Sequence, residues 1–71
     1  MKSVDDLVKI ASYGGGLDLR NHRLTTDALV KIASYAKGKG SHIIIDGTSK
    51  TTDDMVKIAS YGGGCALFVF N

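Results

Sequence analysis

The chain contains no proline and no tryptophan, and its single cysteine is Cys65. One thiol excludes a disulfide within the chain and fits a reducing compartment, so a cytoplasmic protein is expected. Without proline the turns fall to glycine, of which there are nine. No apolar run approaches the ~18 residues that a membrane-spanning helix needs. The first residues, Met1-Lys2-Ser3-Val4-Asp5-Asp6, become acidic at once and lack the apolar stretch of a signal peptide. Charge is also scarce in any one sign. The formal net charge is +2, and no block of five or six like charges marks a nucleic-acid-binding arm. With 71 residues, the chain buries only ~60% of its unfolded surface. Domains this small normally gain stability from a disulfide, a metal or a partner subunit.

What is present is repetition. Val-Lys-Ile-Ala-Ser-Tyr occurs at 8–13, 30–35 and 56–61, and its flanks align as Ser3-Val4-Asp5-Asp6-Leu7, Thr25-Thr26-Asp27-Ala28-Leu29 and Thr51-Thr52-Asp53-Asp54-Met55. A period of this order signals internal structural units. Residues 1–71 are therefore read as one domain of three units, about 3–24, 25–50 and 51–71. Each unit opens as a helix. Ser3, Thr25 and Thr51 are N-caps, and Asp5, Asp6, Asp27, Asp53 and Asp54 favour the positive end of the helix dipole. Leu7, Ile10 and Ala11, with their equivalents Leu29, Ile32, Ala33 and Met55, Ile58, Ala59, form the apolar stripe. Glycines at 14–16, 38 and 62–64 end the helices.

After each glycine stop comes a strand signal: Leu17–Arg20, His42–Asp46 and Cys65–Phe70. The order αβαβαβ implies a three-stranded, mainly parallel sheet with right-handed crossovers and all helices on one face, a solenoid-like α/β arrangement. Aligning Leu17, Ile43 and Cys65 turns Leu17, Leu19, Ile43, Ile45, Cys65, Leu67 and Val69 toward the helices. The opposite face then carries Asp18, Arg20, Ile44, Asp46, Ala66, Phe68 and Phe70. Tyr13, Tyr35 and Tyr61 are expected to seal the junctions between helices and sheet.

The segment Leu17-Asp18-Leu19-Arg20-Asn21-His22-Arg23-Leu24, leading into Thr25-Thr26-Asp27-Ala28-Leu29, resembles a leucine-rich repeat of the ribonuclease-inhibitor type. In that family the strand pattern L-x-L-x-x-N-x-L precedes a helix. Leu17, Leu19 and Leu24 match, while His22 stands where the family has Asn. In the second unit Ile43 and Ile45 fit, but Thr48 and Lys50 replace the Asn and the last Leu. The resemblance implies an α/β solenoid fragment whose sheet face or edges bind another protein. A local likeness also exists. Ile10-Ala11-Ser12-Tyr13-Gly14-Gly15-Gly16 is similar to the helix-then-glycine loop of TAL-effector repeats, which read DNA. Here a strand signal follows in place of their second helix, so helix capping accounts for these glycines.

No catalytic constellation emerges. His22 follows the first strand and His42 precedes the second, so parallel pairing separates them, and no zinc-ligand set can be assembled with Cys65. Neither an enzymatic activity nor a cofactor or metal is expected. Phosphate loops place glycines before a helix, whereas these follow one. The strand-end loops are richer. They gather Arg20, His22, Arg23 and Lys50 where helix N-termini converge, the usual ligand edge of a parallel sheet, and so form a candidate weak site for an anion or a nucleic-acid backbone. The leading expectation is a protein-interaction module that forms a homodimer or docks on a larger protein. Its interface would centre on Ile44, Phe68 and Phe70, because the third strand is apolar on both faces while helices cover only one. Repetition this close also fits a designed or recently triplicated chain with no evolved task.

Overall fold

A computed structural model describes residues 3–70; Met1 and Lys2 from the acidic opening, and Asn71 at the end of the third unit, lie outside the described residues. The elements run α1 (Val4–Ser12), β1 (Leu17–Asp18), α2 (Thr26–Ala36), β2 (Ile43–Asp46), a 3-10 turn (Gly47–Ser49), α3 (Thr52–Gly62) and β3 (Ala66–Val69). The three N-caps form as the sequence predicts. Ser3 Oγ accepts from the Asp6 N–H, Thr25 Oγ1 from Ala28 and Thr51 Oγ1 from Asp54, at 3.1–3.2 Å. Every helix exit includes a glycine with positive φ: Gly14 (φ 92°), Gly38 (φ 74°) and Gly63 (φ 59°). Only Gly63 is itself the C-cap; Tyr13 and Lys37 cap the other two helices.

The strands lie in the order β1-β2-β3, and both pairs are parallel. Leu17 pairs with Ile43 and Asp18 with Ile44, as the alignment of the first two units expects. β3 corrects the alignment. Ile43 pairs with Ala66, not Cys65, and Ile45 pairs with Phe68. A one-residue slip exchanges the two faces of a strand. Ala66 and Phe68 therefore join Ile43 and Ile45 on the helix side, where both pack against the core. Leu67 and Val69 share the other face with Ile44 and Asp46. The sequence could not set this phase, because Cys65–Phe70 is apolar at every position and offers no alternation.

The core lies between the sheet and the helix layer. Ile32, Ile43 and Ile58 are its largest fully buried side chains, with Leu7, Leu19, Leu29, Ile45 and Cys65 around them. Equivalent residues of the repeated segment are not equally buried. Ala11 and Ala33 are at 0% exposure while Ala59 is exposed; Ile32 and Ile58 are at 0% while Ile10 is at 38%. α2 is flanked on both sides, α1 and α3 on one side only, so each outer helix leaves a different flank of the same stripe open. The tyrosines correct the expectation that they seal junctions: Tyr13, Tyr35 and Tyr61 are all exposed.

Two buried side chains tie successive units together. Ser41 Oγ donates to the Ala11 carbonyl at 2.7 Å, and Cys65 Sγ to the Ala33 carbonyl at 3.6 Å. Burial pushes the Cys65 thiol above its ordinary pKa, which disfavours the reactive thiolate.

Candidate functional site

At the carboxyl end of the sheet the loops after β1 and β2 enclose a cleft of about 550 Å³. Its floor is Leu19, Leu29 and Ile45, and its rim includes Arg20, His22, Arg23 and Lys50. All four residues singled out for an anion site thus meet at one cleft. Their polar groups are differently engaged. Arg20 Nε and Nη2 donate to the two carboxylate oxygens of Asp18 at 2.9 and 2.8 Å. This bidentate bond, strengthened by the Arg20 backbone N–H at 3.2 Å, holds the Asp18 carboxyl down at about 2. In return the Arg20 guanidinium is pushed up. Lys50 Nζ donates to the Leu24 carbonyl at 2.9 Å and closes the cleft across two units.

That leaves His22 and Arg23. His22 Nδ1 is buried and has no hydrogen-bond partner among the described residues, while Arg23 is exposed. Asp46, which also lines the cleft, accepts from the Thr48 N–H at 3.0 Å and the Thr48 hydroxyl at 2.6 Å. These bonds, the hydroxyl's foremost, lower its pKa and keep it anionic. A carboxylate at the rim opposes an incoming anion. The two nearby helix N-termini are also served by Thr25 and Thr51. The cleft is therefore a partly self-neutralised polar site rather than an open cradle of positive charge.

The second candidate surface is the face of the sheet opposite the helices. Ile44 and Leu67 are register neighbours there, and Leu67 is 54% exposed. Of the three residues expected to form an interface, only Ile44 lies on this face. Phe68 is half-buried on the helix side. Phe70 is 64% exposed beyond the end of β3, with its ring lying over Gly47; a Cβ added at Gly47 would stand 2.6 Å from the ring. The signal that could have found Leu67 was the register itself. The sheet is also open at both edges, since neither β1 nor β3 has a second neighbouring strand among the described residues.

Among the described residues no group of three or more His, Cys, Asp or Glu side chains could hold a metal ion. His22 and His42 lie toward opposite ends of the sheet, because β1 and β2 are parallel. No described helix is long and apolar enough to cross a membrane. No protein-family model, curated protein or solved structure matches this chain.

Proposed function

We propose that the chain is a small protein-interaction module, without catalytic activity or cofactor, whose principal partner is another copy of itself. The carrying observation is the unfinished sheet: three strands with two open edges and one bare face bearing Ile44 and Leu67. Unpaired strand edges recruit further strands unless charge, proline or a bulge blunts them. β3 reads Ala-Leu-Phe-Val and has none of these. Exposed apolar side chains add a driving force of about 25 cal/mol per Å² buried. In this reading the three units form a short solenoid akin in layout to leucine-rich repeats, and the single buried thiol suits the reducing cytoplasm. The test is light-scattering mass over a concentration series. Mass should rise above the 7.5 kDa of one chain as concentration increases. A constant monomer mass would refute self-association.

A second reading, weak binding of a nucleic-acid backbone or another anion, is favoured by the meeting of Arg20, His22, Arg23 and Lys50 at one cleft. Titration with a short single-stranded oligonucleotide should then give binding that weakens steeply with salt and is reduced by Arg23→Ala. Absence of binding at low salt would end it.

A further inference from the structure

Among the described residues the contact that joins one unit to the next is made twice and left unfinished on the outer flanks of the first and third units. Lys31 Nζ in α2 lies 3.4 Å from Asp5 Oδ1 in α1, and Lys57 Nζ in α3 lies 3.7 Å from Asp27 Oδ1 in α2. These are equivalent positions of the repeated segment: each lysine reaches back to the aspartate of the preceding unit. Lys9 holds the lysine position in the first unit, which has no preceding unit among the described residues. Asp53 holds the aspartate position in the third unit, which has no following unit among the described residues. Neither forms an ion pair among the described residues.

The apolar residues tell the same story. Ile10 is exposed on α1, although its equivalents Ile32 and Ile58 are fully buried. Ala59 is exposed on α3, although Ala11 and Ala33 are fully buried. Val56, at 61% exposure, lies on the same helix as Ala59. The open flank of α1 thus carries what α2 and α3 bring to an internal joint, and the open flank of α3 carries what α1 and α2 bring. At the sheet level, β1 and β3 are both open and point the same way.

We propose that a second copy of the chain docks head to tail, its α1 and β1 stacking on the α3 and β3 of the first, so that Lys9 meets Asp53 and Ile10 and Ala59 enter the new joint. The proposal rests on the self-association inferred above and gives it a geometry. A twofold contact through the third unit would bring Asp53 together with its own copy and leave Lys9 outside. A twofold contact through the first unit would do the same with Lys9. Only the head-to-tail contact matches opposite charge and repeats a joint the chain already makes. Such a contact does not use up its own ends, so it generates an open series unless the rotation closes into a ring.

The experiment compares the concentration dependence of mass for six samples of the full chain: wild type, four variants and one mixture. Wild type should grow past twice the monomer mass. Ala59→Arg, at an exposed site, should keep its fold by circular dichroism yet associate about tenfold more weakly (about 1.4 kcal/mol), since a bulky charged side chain overfills a packed joint. Tyr35→Arg, at an exposed position of α2 that the new joint does not use, should associate like wild type. Asp53→Lys and Lys9→Asp should each associate less than wild type alone, and mixing the two should restore growth, because both joints of the mixture then pair opposite charges. Wild type that stays monomeric at every concentration overturns both the proposed self-association and this geometry. Association that stops at a dimer, ignores Ala59→Arg, is abolished by Tyr35→Arg, or is not restored by mixing overturns the head-to-tail geometry while the interaction reading survives.

Discussion

Truncating the same isoleucine in each unit separates burial from repetition. Ile32 and Ile58 are fully buried and Ile10 is 38% exposed, though all three stand in one repeated segment. Ile→Ala removes three carbon atoms' worth of side chain, ~2.4 kcal/mol at ~0.8 per buried group. In a closed core the unfilled cavity raises this to about 2–5 kcal/mol. At Ile10 water fills the space, so the cavity contribution vanishes and only the covered part of the transfer energy is lost. The better helix propensity of alanine returns a few tenths of a kcal/mol, which leaves a net cost of about 1 kcal/mol. A domain of 71 residues has roughly 4–10 kcal/mol of stability in all. Ile32→Ala and Ile58→Ala should therefore bring the chain near unfolding, while Ile10→Ala remains folded. Urea denaturation, at concentrations where the chain is monomeric, reads this as midpoint shifts at constant slope. An Ile10→Ala midpoint as low as that of Ile32→Ala would refute the assignment of α1 to the open edge of the layer.

Three further outcomes are expected. Cys65→Ser should fold with stability within about 1 kcal/mol of wild type by denaturation, because Ser41 already makes the equivalent bond to the preceding helix; wild-type Cys65 should also resist alkylation until the chain is unfolded. Gly14→Ala should reduce the unfolding free energy from denaturation by on the order of 1–3 kcal/mol, since φ there is +92° and the new Cβ would stand 2.9 Å from the Lys39 carbonyl oxygen. Asp18 should titrate by NMR near pH 2, and Arg20→Ala should return it toward 3.8. Its folded pKa lies below the unfolded one, so its contribution to stability is present above about pH 3.8 and is lost as pH falls through about 2.

The three caps, the helix stops, the order of the elements and the Leu17–Ile43 register were legible because each has a local chemical cause: a hydroxyl for free N–H groups, a glycine for positive φ, an alternation for a face. The meeting of Arg20, His22, Arg23 and Lys50 also followed, because parallel strands deliver their following loops to one edge. Asp18 and the Leu24 carbonyl, which occupy two of those cations, were not foreseen, since both contacts depend on side-chain paths across loops. The phase of β3 was illegible because Cys65–Phe70 lacks alternation, which moved Phe68 inward and Leu67 outward. The different fates of Ile10 and Ile32, or Ala33 and Ala59, could not be read from identical segments. Burial there depends on which neighbours flank a helix, a property of position in the layer.

The bonds from Ser41 to Ala11 and from Cys65 to Ala33 each span about thirty residues, and each runs from the start of one strand to the helix of the unit before it. No unit thus contains both halves of its own buried polar contact. A fragment that folded one unit alone would keep a helix yet leave the clamp open and the apolar stripe wet. Stability then resides in the joints rather than in the units, as in arrays governed by nearest-neighbour coupling. The described residues form two such joints, α1 with α2 and α2 with α3. Hydrogen exchange in α2, which belongs to both, should report the global opening of the chain.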